Sequence, residues 1–236
     1  MPRAGKFAAA ALALACSVLP GCDSPRSAAT SSAPGPAATE KKAPDPVDAR
    51  PRVVALGDSL TAGLGLEPTQ AYPALLQQRI DSEGLHYVVV NAGVSGDTSA
   101  GGLSRLDWAL DGDVRVLIVA LGGNDGLRGL EPTELQTNLA SIIERAQAKH
   151  IDVVLAGMEA PPNFGEGYIV SFHRVYPALA SKYHVALVPF LLQDVAGVDT
   201  LNQQDGIHPT VEGARIVAGN VWKVLGPMLE RGVPAK

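Results

Sequence analysis

Val53-Val54-Ala55-Leu56-Gly57-Asp58-Ser59-Leu60 decides how this chain is read. Four apolar residues with no polar alternation suit a strand buried on both faces, as in a parallel sheet covered by helices. The polar turn that follows puts Ser59 at the strand's end. Working outward, Asn91-Ala92-Gly93 and Gly122-Gly123-Asn124-Asp125 each follow another apolar run, and Asp205-Gly206-Ile207-His208-Pro209 lies far along the chain. Segments at the ends of parallel strands collect on one edge of a sheet, where α/β folds place their sites.

The runs of this kind are Val53–Leu56, Tyr87–Asn91, Val114–Leu121, Val153–Ala156 and Val185–Val188. Between them lie stretches with helical spacing. Ala71–Glu83 carries Leu75, Leu76 and Ile80; Ser99–Leu110, Pro132–Lys149, Ser171–Lys182 and Thr210–Leu229 read the same way. Pro132 and Pro209 stand near helix starts, where a missing N–H costs little. Strand alternating with helix predicts a parallel sheet with right-handed crossovers. Residues 51–236 suit one domain of this kind, with no repeat or internal linker.

The first 50 residues read differently. Arg3 and Lys6 precede an apolar stretch, Phe7–Val18, which is too short to span a bilayer. Leu19-Pro20-Gly21-Cys22 ends it. Residues 1–21 therefore read as an export signal. They resemble the lipoprotein type, in which Cys22 becomes the lipidated N-terminus, with Pro20 where that pattern has a small residue. Residues 22–50 are mostly Ala, Ser, Pro and Thr with few large apolar side chains, a composition expected to stay disordered. Such a coil spans about 30 Å end to end. The expected location is therefore extracytoplasmic, with the membrane as a partner through Cys22, or soluble release if the signal is of the ordinary kind.

Charge and cysteine content exclude several functions. Without residues 1–21 the chain has 17 Lys and Arg against 24 Asp and Glu, a net charge of −7, and no basic run. Nucleic acid is not an expected partner. Cys16 falls within the signal and Cys22 is the lipid site, so the domain has no thiol nucleophile, disulfide or Cys-based metal site. No metal and no cofactor are expected, and a monomer is.

The polar segments supply the parts of an acyl-transfer site. Ser59 is a candidate nucleophile. His208 follows Asp205 by three residues, so a carboxylate can fix the imidazole tautomer and stabilise its charged form. At Gly93 no Cβ obstructs a backbone N–H, and the Asn124 amide is a donor that does not titrate; both suit an oxyanion hole. Taken singly, each has a plain structural reading: Ser59 and Asp205 as helix caps, His208 as a surface histidine, Gly93 and Asn124 as turn residues. Ser59 also lacks the Gly-x-Ser-x-Gly context of the α/β-hydrolases. The four together, in order and each after an apolar run, favour the catalytic reading.

In these blocks the sequence resembles the GDSL, or SGNH, hydrolase family, whose four letters fall on Ser59, Gly93, Asn124 and His208. The stretches 91–99, 121–129 and 160–165 are similar to the bacterial branch known as acyl-CoA thioesterase I, lysophospholipase L1 or arylesterase. The resemblance runs from Arg52 to about Leu229. It implies a three-layer α/β/α, flavodoxin-like fold with a five-stranded parallel sheet in the order 2-1-3-4-5. It further implies hydrolysis of acyl or aryl esters and thioesters, lysophospholipids and acyl-CoA among them, through an acyl-serine. Ser59 would attack, His208 would act as base and then acid, and Asp205 would orient it. The N–H groups of Ser59 and Gly93 and the Asn124 side chain would hold the oxyanion. Segments 94–98 and 158–168 would wall the acyl groove, with Leu60, Val94, Leu127 and Phe164 as its apolar residues. Two other readings stand beside this: a carbohydrate O-acetylesterase of the same superfamily, and a non-catalytic binding lipoprotein.

Overall fold

The computed structural model describes residues 49–231. The expected signal, Cys22 and almost all of the tether therefore lie outside the described residues. Five parallel strands, β1 (Arg52–Gly57), β2 (Val88–Gly93), β3 (Val114–Ala120), β4 (Asp152–Ala156) and β5 (Ala186–Val188), pair in the order β2-β1-β3-β4-β5. The order and the strand positions are those expected from the sequence. Residues Val53–Leu56 and Val116–Ala120 are almost fully buried, because helices cover the sheet on both faces. The exposed ends of strands thus become the places where polar chemistry can sit.

The helices are α1 (Ser59–Ala62), α2 (Tyr72–Ser82), α3 (Ser99–Ser104), α4 (Leu106–Ala109), α5 (Gly123–Leu127), α6 (Pro132–Ala148), α7 (Glu166–Tyr183) and α8 (Val211–Arg231). In α6, Leu135, Leu139, Ile142, Ile143 and Ala146 are all buried. Their spacing is one stripe of a 3.6-residue helix, so that face packs inward. α6 packs beside α7 and α3, while α2 packs against α8.

Three details depart from the sequence reading. The helix expected over Ser99–Leu110 is two short helices, interrupted at Arg105. α7 begins at Glu166 rather than Ser171 and continues through Pro177. The turns α1 and α5 were not expected as helices, since four or five residues are too few to show a period.

Sheet order reverses between β1 and β3, a topological switch point of the kind that forms a crevice at strand ends. Two glycines allow the ends to close up there. A Cβ at Gly57 would lie 2.0 Å from Thr61 Oγ1, and one at Gly93 only 2.3 Å from the Ala62 nitrogen. β1 and β2 therefore bring α1 close against their ends, and Ser59 opens α1 directly over the crevice.

Candidate active site

Ser59 stands at the start of α1 because Asp58 caps it. The Asp58 carboxylate accepts the Leu60 N–H at 3.0 Å, and the chain leaves α1 through Gly63 in the left-handed conformation at φ 80°. This holds Ser59 half-buried at the crevice. From the other end of the chain, the β5–α8 connection brings His208. His208 Nε2 lies 2.8 Å from Ser59 Oγ, and Nδ1 lies 2.6 Å from Asp205 Oδ2. The Asp205 carboxylate also accepts the N–H groups of Ile207 at 2.9 Å and His208 at 3.0 Å.

These backbone donors, that of His208 first, hold the Asp205 carboxyl down at about 2, with the His208 side chain adding to the effect. Asp205 is therefore an anion at any pH near neutrality. An anionic acceptor fixes the Nδ1–H tautomer, so Nε2 is left to accept from the Ser59 hydroxyl. The three side chains form one hydrogen-bonded line.

The structure brings Gly93 and Asn124 to the same crevice, with both donors engaged inside the protein. The Gly93 N–H donates to Asn91 Oδ1 at 3.0 Å. The Asn124 amide donates to the Asp97 carbonyl at 2.9 Å and, more weakly, to Asp58 Oδ2 at 3.3 Å. A new acceptor beside Ser59 would compete most readily for the longer of these bonds.

A groove of about 370 Å³ opens beside the Ser59–His208 pair. Leu60 and Leu127 line it, as do Met158, Ala160, Pro161 and Pro162 from the segment expected to form a wall. Val94 and Phe164, also expected there, are not among its lining residues; they stand 44 % and 38 % exposed on flanking loops. In their place the β5–α8 connection supplies Phe190 and Leu192. Nothing in the sequence marked these two, because that connection has no periodicity.

Three supporting residues were also missed. Arg105 ties the site's floor together: its guanidinium donates to the Gly57 carbonyl at 2.9 Å, to the Ala92 carbonyl at 2.7 Å and to Asp97 at 2.6 Å. One side chain thus clamps the ends of β1 and β2 and the loop that holds Asn124. Asp125, buried, accepts from the Ser99 N–H and hydroxyl at 2.8 and 2.5 Å and joins the α5 turn to α3. Asp58 is almost fully buried, and that burial raises its carboxyl from the ordinary 3.8 to about 6, against the lowering effects of the Leu60 N–H and His208. Among the described residues no cluster of three or more His, Cys, Asp or Glu is arranged to hold a metal ion.

Fold and crevice together define a three-layer α/β/α ester hydrolase. Residues 55–216 match the GDSL-like Lipase/Acylhydrolase family, and the chain belongs to that family. Esterase TesA of Pseudomonas aeruginosa is 49 % identical over 178 residues, which are 75 % of this chain and 89 % of that one. Thioesterase 1/protease 1/lysophospholipase L1 of Escherichia coli is 38 % identical over 175 residues, 74 % of this chain and 83 % of that one. The crystal structure of TesA superposes with a TM-score of 0.72 at 48 % identity, covering 75 % of this chain and 99 % of that one. Esterase EstA from Pseudoalteromonas sp., in a structure inhibited by monoethylphosphonate, has the same TM-score at 32 % identity, covering 76 % of this chain and 98 % of that one.

Proposed function

We propose that the protein hydrolyses acyl and aryl esters and thioesters through an acyl-serine formed on Ser59. The observation that carries this reading is the unbroken line from Asp205 through His208 to Ser59, at the mouth of a largely apolar groove. His208 Nε2 takes the Ser59 hydroxyl proton as Oγ bonds to the substrate carbonyl carbon. The protonated imidazole, stabilised by Asp205, passes that proton to the departing alkoxide or thiolate as the tetrahedral intermediate collapses. Water then repeats the sequence on the acyl-serine, releasing the acid and restoring Ser59. Charge on the carbonyl oxygen is met by the N–H groups of Ser59 and Gly93 and by the Asn124 amide, once the latter two leave their present acceptors.

The groove's chemistry supports an aliphatic or aryl acyl group over an acetylated sugar. Met158, Pro161, Phe190 and Leu192 present apolar surface to a ligand. TesA and the Escherichia coli relative bear the names esterase, thioesterase and lysophospholipase, which fit the same substrate class. The sequence of residues 1–50 supports export with diacylation at Cys22 and a tether over residues 22–50, with the domain acting at a membrane outside the cytoplasm. Among the described residues no helix is long and apolar enough to cross a membrane.

The test compares p-nitrophenyl acetate, butyrate, octanoate and palmitate with acetylated xylan. Each buried methylene contributes about 0.8 kcal/mol, so kcat/KM is expected to rise several-fold per two carbons until the groove is filled. Ser59→Ala is expected to abolish turnover and labelling by a fluorophosphonate while the protein stays folded. Faster turnover of the xylan, with no gain from acetate to octanoate, would replace this reading by a carbohydrate esterase.

A further inference from the structure

Beyond the end of each strand the chain carries a large apolar side chain left in solvent. After β1 it is Leu64 at 48 % exposure, after β2 Val94 at 44 %, after β3 Leu127 at 45 %, and after β4 Phe164 at 38 %; after β5 there are Val198 and Ile207, both at 40 %. In a sheet of five parallel strands all five connections leave the same edge. Leu64, Leu127, Phe164 and Ile207 are also tied to the site or to the groove's lining. Leu127 and Ile207 line it. Phe164 packs so closely on the Leu127 turn that a Cβ on Gly129 would meet its ring at 2.5 Å. The Leu64 carbonyl accepts from Gln203 at 2.7 Å, in the segment that leads to His208. Scattered exposed apolar residues are ordinary, but several gathered on one edge about a groove mark an interaction surface.

We propose that this rim docks the domain, groove first, on a neutral phospholipid surface. The occupant follows from three observations. The groove opens within the rim, so a protein partner seated there would close it, whereas a fluid lipid layer covers the rim and still supplies acyl chains. The charge nearby offers anionic headgroups little: Glu159 in the groove wall is bound to His173 and Asp205, 45 % exposed, to His208, while the Arg128 guanidinium is engaged by the Gly96 carbonyl. The chain preceding residue 49 carries Cys22 after an apolar stretch, and the intervening segment is long enough to let the domain meet the layer holding such an anchor. The proposal rests on the lipid-like substrate class inferred above, since an enzyme for soluble sugars would have no use for such a face.

The experiment uses the domain Pro46–Lys236 without the leader, so that no lipid anchor contributes. A domain of this extent stands alone in the TesA structure, 99 % of which is matched by 75 % of this chain. Flotation with phosphatidylcholine vesicles is expected to carry the domain. Val94→Ser/Val198→Ser, at two side chains that line neither the groove nor the small cavity beside Ser59, is expected to lower the partition coefficient about tenfold. p-Nitrophenyl butyrate turnover in solution should remain at the parent's level. Trp108→Ser, at a side chain 66 % exposed on α4 and away from the strand ends, is expected to change partitioning less than twofold. Mixing in phosphatidylglycerol is expected to weaken it. The idea fails if the parent domain does not float, if the double substitution leaves flotation unchanged, or if Trp108→Ser lowers it equally. Binding only to anionic vesicles, or dimerisation abolished by the double substitution, would also overturn it. A domain that floats but cleaves no ester removes the esterase reading alone, and one that cleaves esters without floating removes the docking alone.

Discussion

At the scale of single residues, the site depends on groups whose hydrogen bonds are already spoken for. Asn124 donates to Asp97 and Asp58, so its use at an oxyanion costs the weaker of those two bonds. Even so, a donor aimed at developing charge in a dry crevice is worth on the order of 10²–10³ in kcat. Asn124→Ala is therefore expected to lower kcat by about that factor with KM nearly constant, as steady-state kinetics on p-nitrophenyl butyrate would read. A change confined to KM would make Asn124 a binding group instead. Asp58 offers a test in stability rather than rate. Its folded value, about 6, lies above the ordinary 3.8. The folded protein thus holds a proton that the unfolded chain releases. That contribution is complete below about pH 4 and is lost as pH rises through 6. Between pH 7.5 and 4.5 it amounts to about 2 kcal/mol, or about 5 °C in Tm for a domain of this size. The Tm of the parent minus that of Asp58→Asn is expected to rise by this amount on acidification. A difference that stays flat would mean that Asp58 keeps its charge, and that burial does not dominate its titration.

At the scale of elements, the tight joint between β2 and α1 sets the position of Ser59. Gly93→Ala would push a methyl group to 2.3 Å from the Ala62 backbone nitrogen, and backbone cannot step aside as a flexible side chain can. A loss of about 1–3 kcal/mol is expected, with falling activity as α1 shifts. Gly219, inside α8, has nothing within 4 Å of the same atom. Gly219→Ala should raise stability by about 0.5–1 kcal/mol, the gain expected from helix propensity alone. Thermal melts of the two variants would read these opposite signs, and equal effects would show that the contact at Gly93 relaxes freely. The same elements show what a sequence can disclose. β1, β3 and β4 were legible because each holds a run of at least four consecutive buried apolar residues, polar only at or near its first position. α6 was legible because its apolar stripe runs for 17 residues. The break at Arg105 was not: its guanidinium reaches Gly57, across 48 positions of sequence, and no local pattern records that reach.

At the scale of the whole molecule, Ser59 and His208 meet across 149 positions because their connections leave one edge of the sheet. Topology supplied that juxtaposition, so short motifs sufficed to nominate the residues. The groove was harder to read. Its apolar surface comes partly from Phe190 and Leu192, on the turns that follow β5, whereas Val94 and Phe164 lie outside it and are partly exposed. That outward face gives the leader its significance. A domain that takes long-chain esters from a lipid layer would gain from being held near one, because the proposed tether, about 30 Å as a coil, would confine it to a thin shell above the surface and raise its effective concentration there. Acylation requires the Cys22 thiol. Cys22→Ser is therefore expected to replace stable attachment by the reversible binding of the rim alone, so that washing moves the protein from the membrane fraction to the soluble extracytoplasmic fraction, or to leave the unprocessed precursor. Mass spectrometry of the mature parent is expected to find the N-terminus at Cys22 carrying diacylglycerol. An unmodified N-terminus at a later residue would overturn the anchor while leaving the rim as the domain's own route to the lipid surface. In that case hydrolysis of a long-chain ester in vesicles should rise and saturate with vesicle concentration at fixed enzyme, as expected for a free domain that partitions reversibly onto the surface.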